Sequence, residues 1–337
     1  MNIKGTFKLK SCITIKDMVE KHADGLEVIV SPSDLAVQNE THLLQFDYHS
    51  PKGDEKKYLI KKGIFNLEKA SSGIICTPLE MKPLRLLDKN KASQSILNEF
   101  NLFFNKLDVY EELDLVKKRG ILLYGPPGTG KTANISRAVN ELTKNDDTTV
   151  ISWNASSIRS SDILDFFSTG VEYDTDVKKL IIIIEDIGMG VEGYGGPREI
   201  DRSLLNLLDG SGTVVKVPTL FIATTNYAQN LPEPLIRQGR FDQWVEVSPP
   251  NPDDRVDLFK FISKEDNLSE KDIAVLKGKD LNGFSVADLK ELSIRCRRDG
   301  ITVSEAVKQL ADLKKRFSKG FENKKSAGFM RYEDDSY

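Results

Sequence analysis

Short apolar segments alternate with amphipathic stretches through the middle of the chain. "GILLYG", "TVISWN", "LIIIIED", "TLFIATTN" and "QWVEV" are apolar or β-branched runs bounded by polar, charged or glycine residues, the pattern of strands. Between them lie helix-patterned stretches that open at Lys131, around "DILDFF" and around "IDRSLLNLLDG". This alternation predicts crossover connections and a parallel sheet flanked by helices, an α/β fold. "LIIIIE" has no polar residue until its end, which predicts a strand buried on both faces.

The flanks read differently. Residues 1–88 are expected to form a small amino-terminal α+β domain that recruits a partner. There "LEVIVS" and "HLLQFDYHS" are strand-like, "KKYLIKKGIFNL" is read as a hairpin partner after the turn-rich "PKGDE", and "TIKDMVEKH" is read as a short helix capped by Thr14. Residues 89–115 form a helical linker, with Ile96, Phe100, Phe103 and Phe104 spaced on one helix face. Residues 116–250 hold the α/β subdomain, and "SPPNPDD" punctuates its end. Residues 251–317 carry only helical patterns and predict a small helical subdomain. Residues 318–337, charged and containing glycine, read as a flexible tail.

Composition narrows the chemistry. The chain has 337 residues, 39% hydrophobic and 29% charged, which is ordinary for a globular protein. No apolar stretch approaches the roughly 18 residues of a membrane span, and the first residues lack a signal-peptide core, so a cytoplasmic protein without membrane insertion is expected. Cys12, Cys76 and Cys296 are too far apart to suggest a disulfide framework or a zinc site. A net charge of −3 predicts no strong nonspecific field for nucleic acid. His22, His42 and His49 all precede residue 51, so chemistry further along must use carboxylates, lysines, arginines, hydroxyls or amides. Histidine triads are thereby excluded there.

"GPPGTGKT" follows the strand "ILLY" and opens a helix, the context that a phosphate-binding loop requires. The expected nucleotide-binding residues are Gly125, Pro126, Pro127, Gly128, Thr129, Gly130, Lys131 and Thr132, with Ala133 after them. The loop's glycines let backbone amides converge on phosphate, Lys131 neutralises the outer phosphates, and the Thr132 hydroxyl is a magnesium ligand, so ATP and Mg2+ are the expected cofactors. Glu185 and Asp186 end the strand "LIIIIED". As a pair over this site, one acid takes the metal side and the other orients water; the plain alternative is a strand followed by a solvated turn.

Taken in order, these motifs resemble the AAA family of ATPases from about residue 110 to 315. "GPPGTGKT" is similar to its Walker A motif, "IIIIED" to Walker B, and "LLNLLDG" with "IATTNYAQNLPEPLIRQGRFDQWVEV" to its second region of homology. "GFSVADL" is similar to the lid signature of the classical clade. The resemblance implies that Asn226 helps hold the attacking water, and that Arg237 and Arg240 reach the nucleotide of a neighbouring subunit. It places Gly283 and Ala287 at the nucleotide, Thr132 and Glu185 on the metal, and Asp186 on the water. Ser285 and Asp288 also form a capping box. The implied assembly is a homo-oligomeric ring, hexamer or heptamer, that remodels or releases a macromolecular partner, protein being favoured over DNA. An ATP-gated DNA-associated factor and a nucleotide-dependent scaffold of low turnover are the alternatives.

Glu before Asp inverts the common order of that family. The inversion, the approach "VYEELDLVKKRGILLYG" and the short interval before Walker B resemble the subfamily of the mitochondrial Rieske-protein translocase. An aromatic-apolar-glycine pore loop is absent from that interval, and Phe166 and Phe167 are read as core residues. The transmembrane helix of that subfamily has no counterpart in this sequence, and residues 1–88 do not resemble its membrane-adjacent domain. Gly188 stands where the family often has a further acid. The loop "GVEGYGGPR" offers Tyr194 either as a partner contact or as part of an ordinary loop.

Overall fold

The computed structural model describes residues 28–29, 45–50, 53–70, 73–81, 91–144, 147–169, 171–188, 202–210 and 215–327. In chain order the first elements are β1 (Val28–Ile29), β2 (Gln45–Ser50), β3 (Gly53–Ile60), β4 (Gly63–Ala70), β5 (Gly73–Pro78), α1 (Lys91–Phe104) and α2 (Leu107–Glu112). Next come β6 (Lys118–Tyr124), α3 (Lys131–Leu142), β7 (Thr148–Asn154), α4 (Ser160–Thr169), β8 (Val171–Tyr173), β9 (Lys179–Glu185), α5 (Arg202–Asp209), β10 (Thr219–Thr225) and β11 (Gln243–Glu246). Four helices follow: α6 (Pro252–Ser263), α7 (Glu270–Lys277), α8 (Val286–Asp299) and α9 (Val303–Ala327). The helix expected at "TIKDMVEKH" and the loop carrying Tyr194 lie outside the described residues.

The main sheet has the order β11-β6-β10-β9-β7-β4-β5. All its pairs are parallel except β4 with β5. The central strand β9 shows why the run "LIIII" carries no polar residue. Leu180, Ile182 and Ile184 point into one apolar cluster, with Phe166 and Phe167 of α4 and Leu204, Leu207 and Leu208 of α5. Ile181 and Ile183 point into the other, with Ile96, Phe100, Phe103 and Phe104 of α1 and Ile135, Val139 and Leu142 of α3. Alternate side chains thus feed helical layers on opposite faces, and each buried branched residue contributes roughly 1.5–3 kcal/mol. The four apolar residues of the linker helix face the sheet as their spacing predicts, and Phe166 and Phe167 are core residues.

The stretch "KKYLIKKGIFNL" is not one strand. It breaks after Ile60, and β4 starts at Gly63, whose φ of 145° is a conformation that favours glycine. β3 pairs antiparallel with β2, as expected of the hairpin, and parallel with β8. β4 instead joins the main sheet beside β7. Chain from the 1–88 span therefore contributes strands to the same sheet as β6, the strand that leads into "GPPGTGKT". Residue pattern alone does not reveal this, because a strand records which of its faces are covered and not which strand lies beside it.

By the density of its internal contacts the chain divides into two units, Met1–Gly125 with Lys131–Val247, and Pro126–Gly130 with Ser248–Tyr337. In the second, Asn251 caps α6 by accepting from the amides of Asp253 and Asp254, and Ser269 caps α7. Arg255 of α6 is fully buried and donates to the Gly278 carbonyl at 3.0 Å. α9 continues to Ala327, past the point where a loose tail was expected. Lysine, glutamate and alanine in "SKGFENKKSA" are good helix formers, which offsets the single glycine. No helix among the described residues is long and apolar enough to cross a membrane.

Candidate nucleotide site

Parallel strands bring their carboxyl ends to one edge of a sheet, the edge at which open α/β folds bind ligands. Here that edge receives Gly125 after β6, Asn154 at the end of β7, Glu185 and Asp186 at the end of β9, and Asn226 after β10. The loop from β6 into α3 turns on three glycines with φ of 149°, 76° and 99° at Gly125, Gly128 and Gly130. Pro126 and Pro127 are exposed, while Thr129 is buried and donates its hydroxyl to the Pro126 carbonyl at 2.9 Å. Thr132 is exposed in the first turn of α3, and Ala133 is half-buried beside it.

Lys131 joins the residues at the strand ends of the first unit. Its ammonium donates to the Gly125 carbonyl at 2.7 Å and to Asn226 Oδ1 at 2.6 Å. Asn226 in turn directs Nδ2 at Asp186 Oδ1 at 3.5 Å, and Asn154 Nδ2 donates to Asp186 Oδ2 at 3.1 Å. Burial pulls the Lys131 ammonium below the ordinary lysine value, and the Asp186 carboxylate opposes that shift. Glu185 is raised above the usual carboxylate range by burial and then by the neighbouring Asp186 charge.

Adjacent residues of a regular strand point to opposite sides, yet both acids belong to this edge. The strand ends at Glu185, and Asp186 takes a φ of 56°, a left-handed conformation that aspartate tolerates better than most residues. Its amide donates to Thr224 Oγ1 at 3.0 Å, and the following Ile187 amide to the Thr224 carbonyl at 2.8 Å. The chain therefore turns at Asp186 and presents its carboxylate to Asn154, Asn226 and the field of Lys131.

The two arginines of "RQGRFD" are held differently, and neither joins the Lys131 cluster. Arg237 follows the 3-10 turn Glu233–Ile236, with its side chain 63% exposed and a contact of 3.2 Å to Glu233. Arg240 is clasped bidentately by Asp209 of α5, Nε and Nη2 each at 2.7 Å, and also donates to the Pro234 carbonyl. The loop that carries both is tied down on β6. Asp242 accepts from the amides of Gly120 at 3.0 Å and Gly239 at 2.9 Å, and Lys118 donates to the carbonyls of Leu208 and Gly239. A Cβ on Gly120 would stand 1.7 Å from the Arg240 carbonyl oxygen, so only glycine admits this approach.

In the second unit the crest Pro126–Gly130 lies with the start of α8. The Ala287 amide donates to the Gly128 carbonyl at 3.1 Å, and Ser285 and Asp288 close the capping box. Gly283 has a φ of 80° and open space around it.

Residues 121–249 match the family model described as "ATPase family associated with various cellular activities (AAA)". These residues form an AAA ATPase domain. The chain is similar to proteasome-activating nucleotidases. It is 30% identical to that of Thermococcus onnurineus over 249 residues, 66% of this chain and 58% of that protein. It is 31% identical to one from Methanococcus maripaludis over 228 residues, 63% and 53% of the two chains. An AAA-ATPase of Arabidopsis thaliana is 31% identical over 185 residues, 47% of this chain and 36% of that protein. The chain thus spans little more than half the length of the nucleotidases it matches.

Four residues of these polar contacts are given no role by the sequence, although Lys118, Asp209 and Thr224 lie within the quoted motif stretches. Asn154 is the last residue of "TVISWN", and its one signal is its place at the end of a strand that turns out to adjoin β9. Thr224 precedes Asn226 by two positions inside a strand whose every residue is buried. Asp209 and Lys118 read as a helix end and a strand start, and nothing in their neighbours marks them as partners of one loop.

Proposed function

We propose that this chain binds ATP with magnesium at Gly125–Thr132 and hydrolyses it as one subunit of a ring that remodels or releases a protein partner. The observation that carries the reading is the chain of contacts from Lys131 through Asn226 to Asp186 at the carboxyl edge of the AAA domain's sheet. The residue types fit the ligand. Three glycines with positive φ open the loop, a lysine stands at the start of a twelve-residue helix, and Asn226 links that lysine to the Asp186 carboxylate.

Thr132 and Glu185 would hold the magnesium, which would neutralise charge on the phosphates. Lys131 carries the compensating charge on the protein side. Asp186, oriented by Asn154 and Asn226, accepts the proton of the attacking water. Asn226 passes from Lys131 to the water and the outer phosphate once the lysine turns to the nucleotide. The resemblance to the AAA family assigns Gly283 and Ala287 to nucleotide binding. Arg237, exposed and weakly held, reaches the outer phosphate of the next subunit. Arg240 keeps the loop in place.

Relatives named proteasome-activating nucleotidases, at about 30% identity, favour a protein partner, and the ring follows from the resemblance of the motifs to the AAA family. The Glu-Asp order of Walker B supports a subfamily like that of the Rieske-protein translocase, with residues 1–88 recruiting the partner. Turnover measured against subunit concentration tests the ring, since activity that depends on Arg237 in trans rises as subunits associate. Stimulation by a folded protein bait, unaffected by nuclease, tests the partner. Stimulation by DNA with a steep salt dependence favours a DNA-associated factor instead. Concentration-independent turnover by a demonstrated monomer refutes the ring.

A further inference from the structure

The amino-terminal turn of a helix leaves amides without intrahelical acceptors. In α8 these amides are divided between two acceptors of different origin. Ser285 Oγ accepts from the Asp288 amide at 3.2 Å, and the Asp288 carboxylate returns the bond to the Ser285 amide at 2.7 Å. The Ala287 amide is left over, and the Gly128 carbonyl takes it at 3.1 Å. The phosphate loop is therefore part of the cap of α8.

The fit is close. A Cβ on Gly128 would meet Ser285 Oγ at 2.9 Å and Ala287 Cβ at 3.0 Å. The Ser285 hydroxyl thus lies directly against the crest of the loop, and its orientation is set from behind. Three donors converge on a single oxygen, Asp288 Oδ2: the Ser285 amide, the Ser285 hydroxyl and the Lys314 ammonium of α9. Lys314 also stands 4.3 Å from the ring centroid of Phe284, a buried residue just before the cap.

We propose that Asp288 and Lys314 are positioning residues for the phosphate loop, acting through Ser285 and Ala287 on Gly128 so that nucleotide affinity depends on an ion pair outside the site. The proposal rests on the reading of the loop as a nucleotide site. A capping box alone stabilises a helix wherever it occurs. What distinguishes this one is that its serine and its next free amide are the seat of Gly128. α9 supplies an internal comparison, because Thr302 and Glu305 form the same reciprocal bonds at its start, at 2.9 Å and 3.3 Å.

The test is calorimetric titration of the full chain with Mg-ADP. Asp288→Ala raises Kd about tenfold and Lys314→Met about threefold, whereas Lys314→Arg, which keeps the charge, stays within twofold of the unmodified protein. Thr302→Ala weakens the cap of α9 and leaves Kd within twofold. Wild-type affinity in both Asp288→Ala and Lys314→Met overturns the proposal alone. So does a rise in Kd for Thr302→Ala equal to that for Asp288→Ala, since the effect is then general loosening of the helices. If the unmodified chain binds no nucleotide, the functional reading fails and the proposal falls with it.

Discussion

Arg240 and Asp209 are joined by two parallel bonds of 2.7 Å, a fork that neither a lysine nor a single contact reproduces. Arg237, three residues earlier on the same loop, has only an exposed contact to Glu233, of the kind that contributes little to stability. The two arginines should therefore fail differently. Arg237→Ala lowers ATP turnover about a thousandfold and leaves the melting temperature within about one degree. Arg240→Lys lowers turnover less, and it lowers the melting temperature by a few degrees because the fork to Asp209 is lost. Parallel ATPase assays and thermal melts check this, and the reverse ranking would assign the exposed role to Arg240.

Asp186→Asn keeps the shape that Asn154 and Asn226 recognise and removes the charge proposed to accept a proton. Hydrolysis falls by about two orders of magnitude or more while Mg-ATP still binds. Glu185→Gln instead raises the magnesium concentration needed for half-maximal turnover. Single-turnover and binding measurements separate the two. Normal turnover in Asp186→Asn, with Glu185→Gln inactive and ATP bound, shows that the roles are exchanged.

Asn154 offers a test of orientation rather than charge. Asn154→Ala deprives Asp186 of a donor at 3.1 Å, and bonds to charged groups contribute about 1.5–3 kcal/mol. Turnover should fall roughly 10- to 100-fold with ATP affinity close to that of the unmodified protein. Equal losses in affinity and turnover would mark Asn154 as merely structural.

The pH dependence of Glu185 follows from its surroundings. Burial first, then the Asp186 charge, raises its pKa in the folded protein. The folded state therefore holds this proton to higher pH than the unfolded chain does. Stability from this group is largest at acid pH and declines as pH rises from the unfolded value through the folded one. Removing the neighbouring charge in Asp186→Asn lowers the Glu185 pKa. Carboxyl-carbon NMR titration reads both values, and an upward shift in the variant contradicts the account.

Local order carries much of this design. The apolar runs specify strands, their alternation with helix-patterned stretches specifies a parallel sheet, and both faces of "LIIII" had to be covered because every position in it is apolar. The loop "GPPGTGKT" is equally local, since backbone freedom at glycine and a lysine at a helix start are properties of adjacent residues. The acids at Glu185 and Asp186 were visible for the same reason.

What only the tertiary structure decided are relations between strand ends and loops distant in the chain. A strand's composition reports how deeply it is buried but not its neighbours, so the pairing of β7 with β9 brought Asn154 to Asp186, and the pairing of β4 with β7 drew an amino-terminal strand into the main sheet. The left-handed turn at Asp186 rests on Thr224 of another strand, and the difference between Arg237 and Arg240 rests on Asp209 at the end of a helix. Such contacts arise from packing, which joins residues by position in space, whereas a sequence pattern records only those that are near one another along the chain.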